Sequence, residues 1–596
     1  MRLLESFRRE YIYIGCIGRT LWRMRRVGPD SSRTIVDIVE EFAANKPANA
    51  AVFYQDRIVS YRQLDEGANR IARWAQAQGI ARGDAVALAM ENRPEYLMAW
   101  LGLLKLGAVA ALINTNLKGA ALAHSIAISG ARHAIVGVEL GEAYRDATAR
   151  IDPEPIAWAA GGAFLGARDL DAALAALSPA PIDKSARAGL TGKDNALYIF
   201  TSGTTGLPKA ARFSHMRMLY MMHGFAGGLN AKAGDRTYCA LPLYHATGGI
   251  CAVGMALTTG GALILRRKFS AHEFWDDCRT YRATIFQYIG ELCRYLLNAP
   301  PDPRDGSHSI RAISGNGLRP EIWPAFQKRF AIPRIVEFYG ATEGNVSMLN
   351  YDGTVGAVGR LPRYMRRMFP TRLARFDIAR EMPVRGADGF CIECAPGEAG
   401  EAVGRISRRA GRTFDGYTGE TDTRKKILRD AFEKGDAWFR TGDLMRRDEH
   451  GYFYFVDRVG DTFRWKGENV ATSEVAEALS VVDGVQEVNV YGVSVPGADG
   501  RAGMAALVTA QGFDPAPLGE KIAGNLAFFA RPVFIRLRPE MEITGTFKLK
   551  KADLVKDGFD PGRIDDPLYW YNQASGRYEA LTHAVYADIA AGRLKI

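Results

Sequence analysis

Hydroxyls, glycines and an ammonium group stand together in one stretch of this 596-residue chain, Tyr198-Ile-Phe-Thr-Ser-Gly-Thr-Thr-Gly-Leu-Pro-Lys209. Thr201, Ser202, Thr204 and Thr205 supply hydroxyl donors, while Gly203 and Gly206 let the backbone turn so that N–H groups converge. Such a nest of donors beside the Lys209 cation suits a polyphosphate. A lone Gly-x-x-Gly is more often a surface turn. Here, however, the apolar run Ala196 to Phe200 predicts a buried strand feeding the loop. The spacing excludes a Walker A loop, G-x-x-x-x-G-K-S/T, because only two residues separate Gly203 from Gly206 and Ala210 follows Lys209.

Three further stretches carry groups with matching chemistry. Ile335-Val-Glu-Phe-Tyr-Gly-Ala-Thr-Glu-Gly-Asn345 reads as a strand ending in Tyr339, which can stack on a purine. Thr342 behind it can donate to an α-phosphate. Glu343 is a hard oxygen ligand for Mg²⁺, an ion that keeps most of its shell as phosphate and water. In Trp438-Phe-Arg-Thr-Gly-Asp-Leu444, the two oxygens of Asp443 match a ribose cis-diol. Ile313-Ser-Gly-Asn-Gly-Leu318 is a strand running into a turn whose glycines admit a flat base.

In this order the motifs resemble the adenylate-forming acyl-CoA synthetase superfamily, and the likeness extends over nearly the whole chain after residue 31. The resemblance implies that the Thr201–Lys209 loop holds the β- and γ-phosphates and that Gly315 and Asn316 border adenine. It places Arg458 near the ribose and phosphate. His245 of Leu241-Pro-Leu-Tyr-His245 would lie beside the acyl carboxylate, although a lone histidine on an apolar face is more often a core residue. Val456-Asp-Arg-Val-Gly-Asp-Thr-Phe-Arg-Trp-Lys-Gly-Glu-Asn-Val470 resembles the hinge between a large and a small domain, with Gly460 where a Lys or Asp is usual. Ile543-Thr-Gly-Thr-Phe-Lys548 resembles the loop of the adenylation lysine; Lys548 is the assignment, with Lys550 and Lys551 as alternatives. Gly460, Trp465 and Glu468 point to the fatty-acid-transport and very-long-chain acyl-CoA synthetase branch.

Two or more domains are expected at this length. The implied fold is α/β: an AMP-binding N-terminal domain over residues 31–458 and a smaller, mobile α+β lid over 459–596, hinged about 457–461. Locally, Val59 to Asp65 leads into a helix with Leu64, Ala68, Ile71 and Ala72 on one face. Val86 to Met90 reads as a strand and Tyr96 to Leu106 as a helix. Asp448-Glu-His-Gly451 turns one strand into Tyr452 to Val456. Thr472 and Ser473 read as N-cap candidates for a helix carrying Val475, Leu479 and Val482, with strands to follow at 487–495 and 504–509.

A composition of 47% hydrophobic and 24% charged residues is that of a folded protein. The formal charge of +11 favours anionic partners such as nucleotides, coenzyme A or an anionic membrane face, and no base-reading motif points to nucleic acid. Seven cysteines fit a reducing cytoplasm better than a disulfide framework, and Cys391-Ile-Glu-Cys394 reads as two strand residues. Residues 238–265 lack any Asp, Glu, Lys or Arg, yet Pro242 and five glycines break them, so they are read as core and not as a membrane span. The first 30 residues form a basic arm in which Arg2, Arg8, Arg9, Arg19, Arg23, Arg25 and Arg26 alternate with apolar side chains. It suits either a helix in a membrane interface or an arm packed on the protein.

The implied activity is ATP- and Mg²⁺-dependent joining of a long- or very-long-chain fatty acid to coenzyme A, in a cytoplasmic or peripheral enzyme that supports uptake. The alternatives are a bile-acid or carnitine-type CoA ligase, an enzyme loading a carrier protein, and a membrane fatty-acid transporter. No local motif reports the chain length or the oligomeric state.

Overall fold

The computed structural model describes all residues except 1, 203–206, 379, 408–411, 499, 543–548 and 595. The chain divides into two compact units. The first holds residues 1–370, 404–429 and 435–439, and the second holds 371–403, 430–434 and 440–596.

Two parallel-cored sheets with helical crossovers build the first unit, as expected where strands alternate with amphipathic helices. One runs in the order Arg168–Asp169, Ile156–Ala160, His133–Gly137, Ala85–Ala89, Val109–Leu112, Asn195–Ser202, Pro208–Ser214, with only the last strand antiparallel. The other carries Ile335–Gly340, Ala312–Asn316, Ile285–Ile289, Arg236–Cys239 and Ala262–Leu265 side by side. The helix Tyr61–Ala77 buries Leu64, Ala68, Ile71 and Ala72 together, and Ser60 caps it through the Gln63 N–H. The uncharged stretch breaks up as expected: Ala262–Leu265 is a fully buried strand. No helix among the described residues is long and apolar enough to cross a membrane.

In the second unit a five-stranded mixed sheet runs Val485–Val493, Ala502–Thr509, Phe534–Leu537, Leu568–Asn572, Arg577–Ala580. The helix Thr472–Ser480 packs on its core through Val475 and Leu479. The hairpin around Asp448 to Gly451 is present, joining Ala437–Arg447 to Tyr452–Arg458.

Two expectations are corrected. Thr472 is the first helical residue rather than the cap, which is Ala471. Its hydroxyl and N–H are drawn to the buried Asp457 carboxylate, while Ser473 donates to the Val456 carbonyl. Cys391 and Cys394 lie in an irregular extended segment with single bridges, not in a strand, and both are buried free thiols. The basic first residues form the helix Arg2–Met24, which packs on the helix His215–Gly228, in line with the reading of an arm packed on the protein.

Candidate active site

Four parallel strands of the first unit deliver chemistry-bearing residues at their carboxyl ends, where doubly wound sheets leave a crevice. Asn195–Ser202 brings Thr201, Ala312–Asn316 brings Gly315 and Asn316, and Ile335–Gly340 brings Tyr339. Arg236–Cys239 runs on to His245. Two asparagines lace the sheets together at this edge. Asn92 donates to the Leu241 carbonyl at 2.8 Å and accepts from the Leu243 N–H at 2.9 Å. Asn116 donates to the Tyr244 hydroxyl at 2.8 Å. His245, half-buried, caps a π-helical turn over Ala246–Ala252, a distortion that recurs at functional sites.

The loop after Tyr339 is held from beneath by Arg217. This guanidinium, 8% exposed on a helix of methionines, donates to the carbonyls of Thr342 at 2.6 Å and Glu343 at 2.7 Å and also reaches those of Ala341 and Gly344. Strand carbonyls that leave a sheet lose their ladder partners, and charge-assisted hydrogen bonds replace them strongly.

Above that backbone, the Tyr417 hydroxyl donates to Glu343 Oε1 at 2.8 Å, and the Tyr417 backbone bridges Ala211 on the strand that leaves the loop. Burial first, and then the Glu343 charge, push the Tyr417 phenol well above its ordinary range, so it stays a donor. The Lys426 ammonium lies 3.9 Å from the same oxygen. Lys209 is ion-paired with Asp422 at 2.8 Å.

A second buried latch supports the Gly315–Leu318 turn. Glu337 accepts from the N–H groups of Gly317 and Leu318 and from the Tyr288 hydroxyl. Burial pushes its carboxyl up to about 8. Gly315 is small because of Tyr288: a Cβ there would stand 2.3 Å from that ring.

The described polar contacts of the Glu343 carboxyl, from Tyr417 and Lys426, fall on Oε1. Among the described residues no three His, Cys, Asp or Glu side chains gather as a metal cage. One carboxylate plus phosphate and water oxygens is the donor set that suits Mg²⁺, so the residues fit an ion that arrives with a nucleotide.

In the second unit Asp443 and Arg458 are direct cross-strand neighbours. Asp457 beside them takes the Thr472 N–H and the hydroxyls of Thr462 and Thr472. Lys551 Nζ lies 3.0 Å from Asp461 and 2.9 Å from the Thr472 hydroxyl, and Lys550 pairs with Glu542 at 3.3 Å. Lys548, Gly203, Thr204, Thr205, Gly206 and the Ser202 side chain lie outside the described residues.

Sequence reasoning passed over Arg217, Tyr417, Asp422, Lys426 and Glu337. A signal existed for Arg217, a lone charge in the Met-rich run His215–Gly228, most of which is buried. Tyr417 carried none, since it acts on residues far away in the chain.

Parallel strands that end together in a hydroxyl-rich loop stem, a glycine turn and a tethered carboxylate are the arrangement of an AMP-binding enzyme. The AMP-binding enzyme family matches residues 39–389, and the AMP-binding enzyme C-terminal domain matches 474–548. Over 582 residues the chain is 42% identical to long-chain fatty acid transport protein 1 of Mus musculus, spanning 96% of this chain and 89% of the relative. Among solved structures, an anthranilate CoA ligase, AuaEII, in complex with anthranoyl-AMP superposes with a TM-score of 0.74 at 21% identity, over 88% of this chain and 96% of that one. A Mycobacterium tuberculosis fatty acyl CoA synthetase gives 0.62 at 25% identity, over 88% and 98%. The chain belongs to the AMP-binding enzyme family, in the branch of the long-chain fatty acid transport proteins. That membership makes it an AMP-forming acid–CoA ligase.

Proposed function

We propose that this protein activates long- or very-long-chain fatty acids as their CoA thioesters in two half-reactions. The observation that carries the reading is Tyr417, whose backbone bridges Ala211 on the strand leaving the phosphate loop and whose hydroxyl donates to Glu343 Oε1 behind Tyr339. It supports a single site in which polyphosphate and a cation meet. The name of the Mus musculus relative and that of the Mycobacterium tuberculosis synthetase supply the fatty acid.

In the first half, the acid's carboxylate oxygen attacks the α-phosphorus of ATP, the bond to the β-phosphate oxygen breaks, and pyrophosphate leaves. The stretch Thr201, Ser202, Gly203, Thr204, Thr205, Gly206 and Lys209 holds the leaving phosphates. Tyr339, Gly315 and Asn316 flank adenine, and Asp443 accepts from the ribose hydroxyls with Arg458 alongside. Thr342 donates to the α-phosphate, and His245 orients the acyl carboxylate. Mg²⁺, when bound at Glu343, neutralises phosphate charge. The protein's part is positioning and preorganised charge. Lys548 bridges the carboxylate and phosphate; the engagement of Lys551 with Asp461 and Thr472 and of Lys550 with Glu542 supports this choice.

In the second half, the lid, taken as residues 459–596, turns about 457–461 and withdraws Lys548. The thiol of coenzyme A attacks the acyl carbon, losing its proton, and AMP leaves with the C–O bond electrons. Acids reaching the protein at an anionic membrane face are thereby trapped, which gives uptake without a pore.

Pyrophosphate release with a panel of fatty acids, run with and without CoA, tests this. Turnover that needs CoA and peaks at long chains is expected. Adenylation that never passes to free CoA would point to a carrier-protein acceptor. Lys548→Ala should suppress adenylation about 10²–10³-fold, as loss of one oxyanion donor does, and spare thioester formation from supplied acyl-AMP. Equal loss of both steps removes that assignment.

A further inference from the structure

The helix Arg2–Met24 has two faces with opposite fates. Tyr13, Cys16, Thr20 and Met24 are buried against the body of the first unit. Arg19 donates to the Gly227 carbonyl at 3.3 Å, and Arg23 donates to that of Ala231 at 2.9 Å. The approach is close: a Cβ on Gly227 would stand 2.6 Å from the Thr20 backbone. The helix is therefore seated on the fold, and its outer face has a defined direction.

That outer face is apolar. Leu4, Phe7, Tyr11, Ile14 and Trp22 recur at helical spacing and are 76%, 74%, 83%, 57% and 63% exposed. Folding gains nothing from such a row, and contiguous exposed apolar surface marks an interaction site. Arg8, Arg9, Arg25 and Arg26 are exposed on the same segment. A second basic–aromatic turn borders it: Glu10 accepts from the Tyr364 hydroxyl at 2.6 Å and pairs with Arg360. In that turn Tyr364 and Met368 are exposed, each following an exposed arginine, Arg363 and Arg367.

At the carboxyl end of the helix lies a cleft of about 190 Å³, lined by Trp22, Arg23, Arg25, Arg26 and Arg33. Its one acid, Glu41, is already paired with Arg33. Arg33 is matched by Glu41, and basic residues in a last turn also favour the helix dipole, but neither accounts for the apolar row beside Arg25 and Arg26.

We propose that this face seats the protein on an anionic phospholipid bilayer. The helix lies in the plane of the interface with its apolar row among the acyl chains, and the arginine-lined cleft takes a lipid phosphate. The proposal rests on the reading that acids are trapped at a membrane face, and it names the surface responsible. Charge complementarity selects the occupant: a second copy packed row against row would bring arginines of like sign together, whereas anionic headgroups neutralise them. The row is too short and too interrupted to span, and a stripe opposite a packed face suits in-plane binding.

The test is flotation of the full-length protein with vesicles of phosphatidylcholine alone or with phosphatidylglycerol added. Binding is expected only to the anionic vesicles and is expected to weaken in high salt. Arg25→Gln with Arg26→Gln should weaken it about 20-fold. Phe7→Ser with Tyr11→Ser should abolish it, while both doubles keep wild-type melting and wild-type ligase activity on a water-soluble acid. Equal binding to neutral vesicles, no binding to either, or unchanged binding of both doubles overturns the proposal. So does a dimer that Phe7→Ser dissociates in the absence of vesicle binding. Flotation needs no turnover: an inactive protein that floats refutes the ligase reading alone, and an active one that does not float refutes the docking alone.

Discussion

Arg217 Nη1 donates to the backbone carbonyl of Glu343 at 2.7 Å, across 126 residues of chain. A buried guanidinium thus fixes the main chain from which the Thr342 and Glu343 side chains project. Replacing it by methionine fills the space but orphans up to four carbonyls. Arg217→Met is expected to cost about 2–4 kcal/mol of stability, because breaking a buried charged network strands its partners. Adenylation by the folded fraction should fall at least about tenfold. Thermal melts read with pyrophosphate release separate the two, since a purely structural role would lower the melting temperature and leave kcat intact.

Tyr417→Phe removes one hydroxyl and keeps the ring. A hydrogen bond to a charged group is worth about 1.5–3 kcal/mol, so kcat/KM for ATP is expected to drop about 10–100-fold. The Mg²⁺ concentration for half-maximal rate should rise. Unchanged Mg²⁺ dependence would detach Tyr417 from the carboxylate's task.

Lys209 is held by Asp422 at 2.8 Å while partly exposed, so solvent screens the pair and little stability resides in it. Asp422→Asn should free the ammonium for phosphate and lower the KM for ATP about twofold to fivefold, with no resolvable change in melting temperature. A raised KM would assign Asp422 a direct part in nucleotide binding.

Glu337 titrates at about 8 in the fold because burial raises it from an ordinary 4.5. The native state therefore binds this proton more tightly than the unfolded chain, and stability attributable to this group falls as pH rises from about 4.5 to about 8. Glu337→Gln can still accept from Gly317 and Leu318, and it should flatten that dependence. Melting temperatures of the two proteins across that window should diverge in favour of the variant toward pH 8. Parallel curves would show that another group sets the slope.

Much of the architecture was legible because it is local. Hydrophobic periodicity marked the helix Tyr61–Ala77 and the alternation of strands and crossovers. The hairpin joining Ala437–Arg447 to Tyr452–Arg458 followed from its turn residues. The capping of Thr472–Ser480 was misread for the opposite reason: Thr472 and Ser473 look like caps to their neighbours, but Asp457 and the Val456 carbonyl, 15 and 17 residues away, claim their hydroxyls.

By itself the sequence determined the order of the elements, the chemical types offered at each strand end and the family those motifs resemble. Short-range propensities and side-chain chemistry set these. Only the tertiary structure decided that Tyr417 meets Glu343 across 74 residues, that Arg217 and Glu337 become latches, and which face of Arg2–Met24 looks outward. Those relations depend on packing between distant segments, where burial makes each unpaired polar group costly and so selects one arrangement from many.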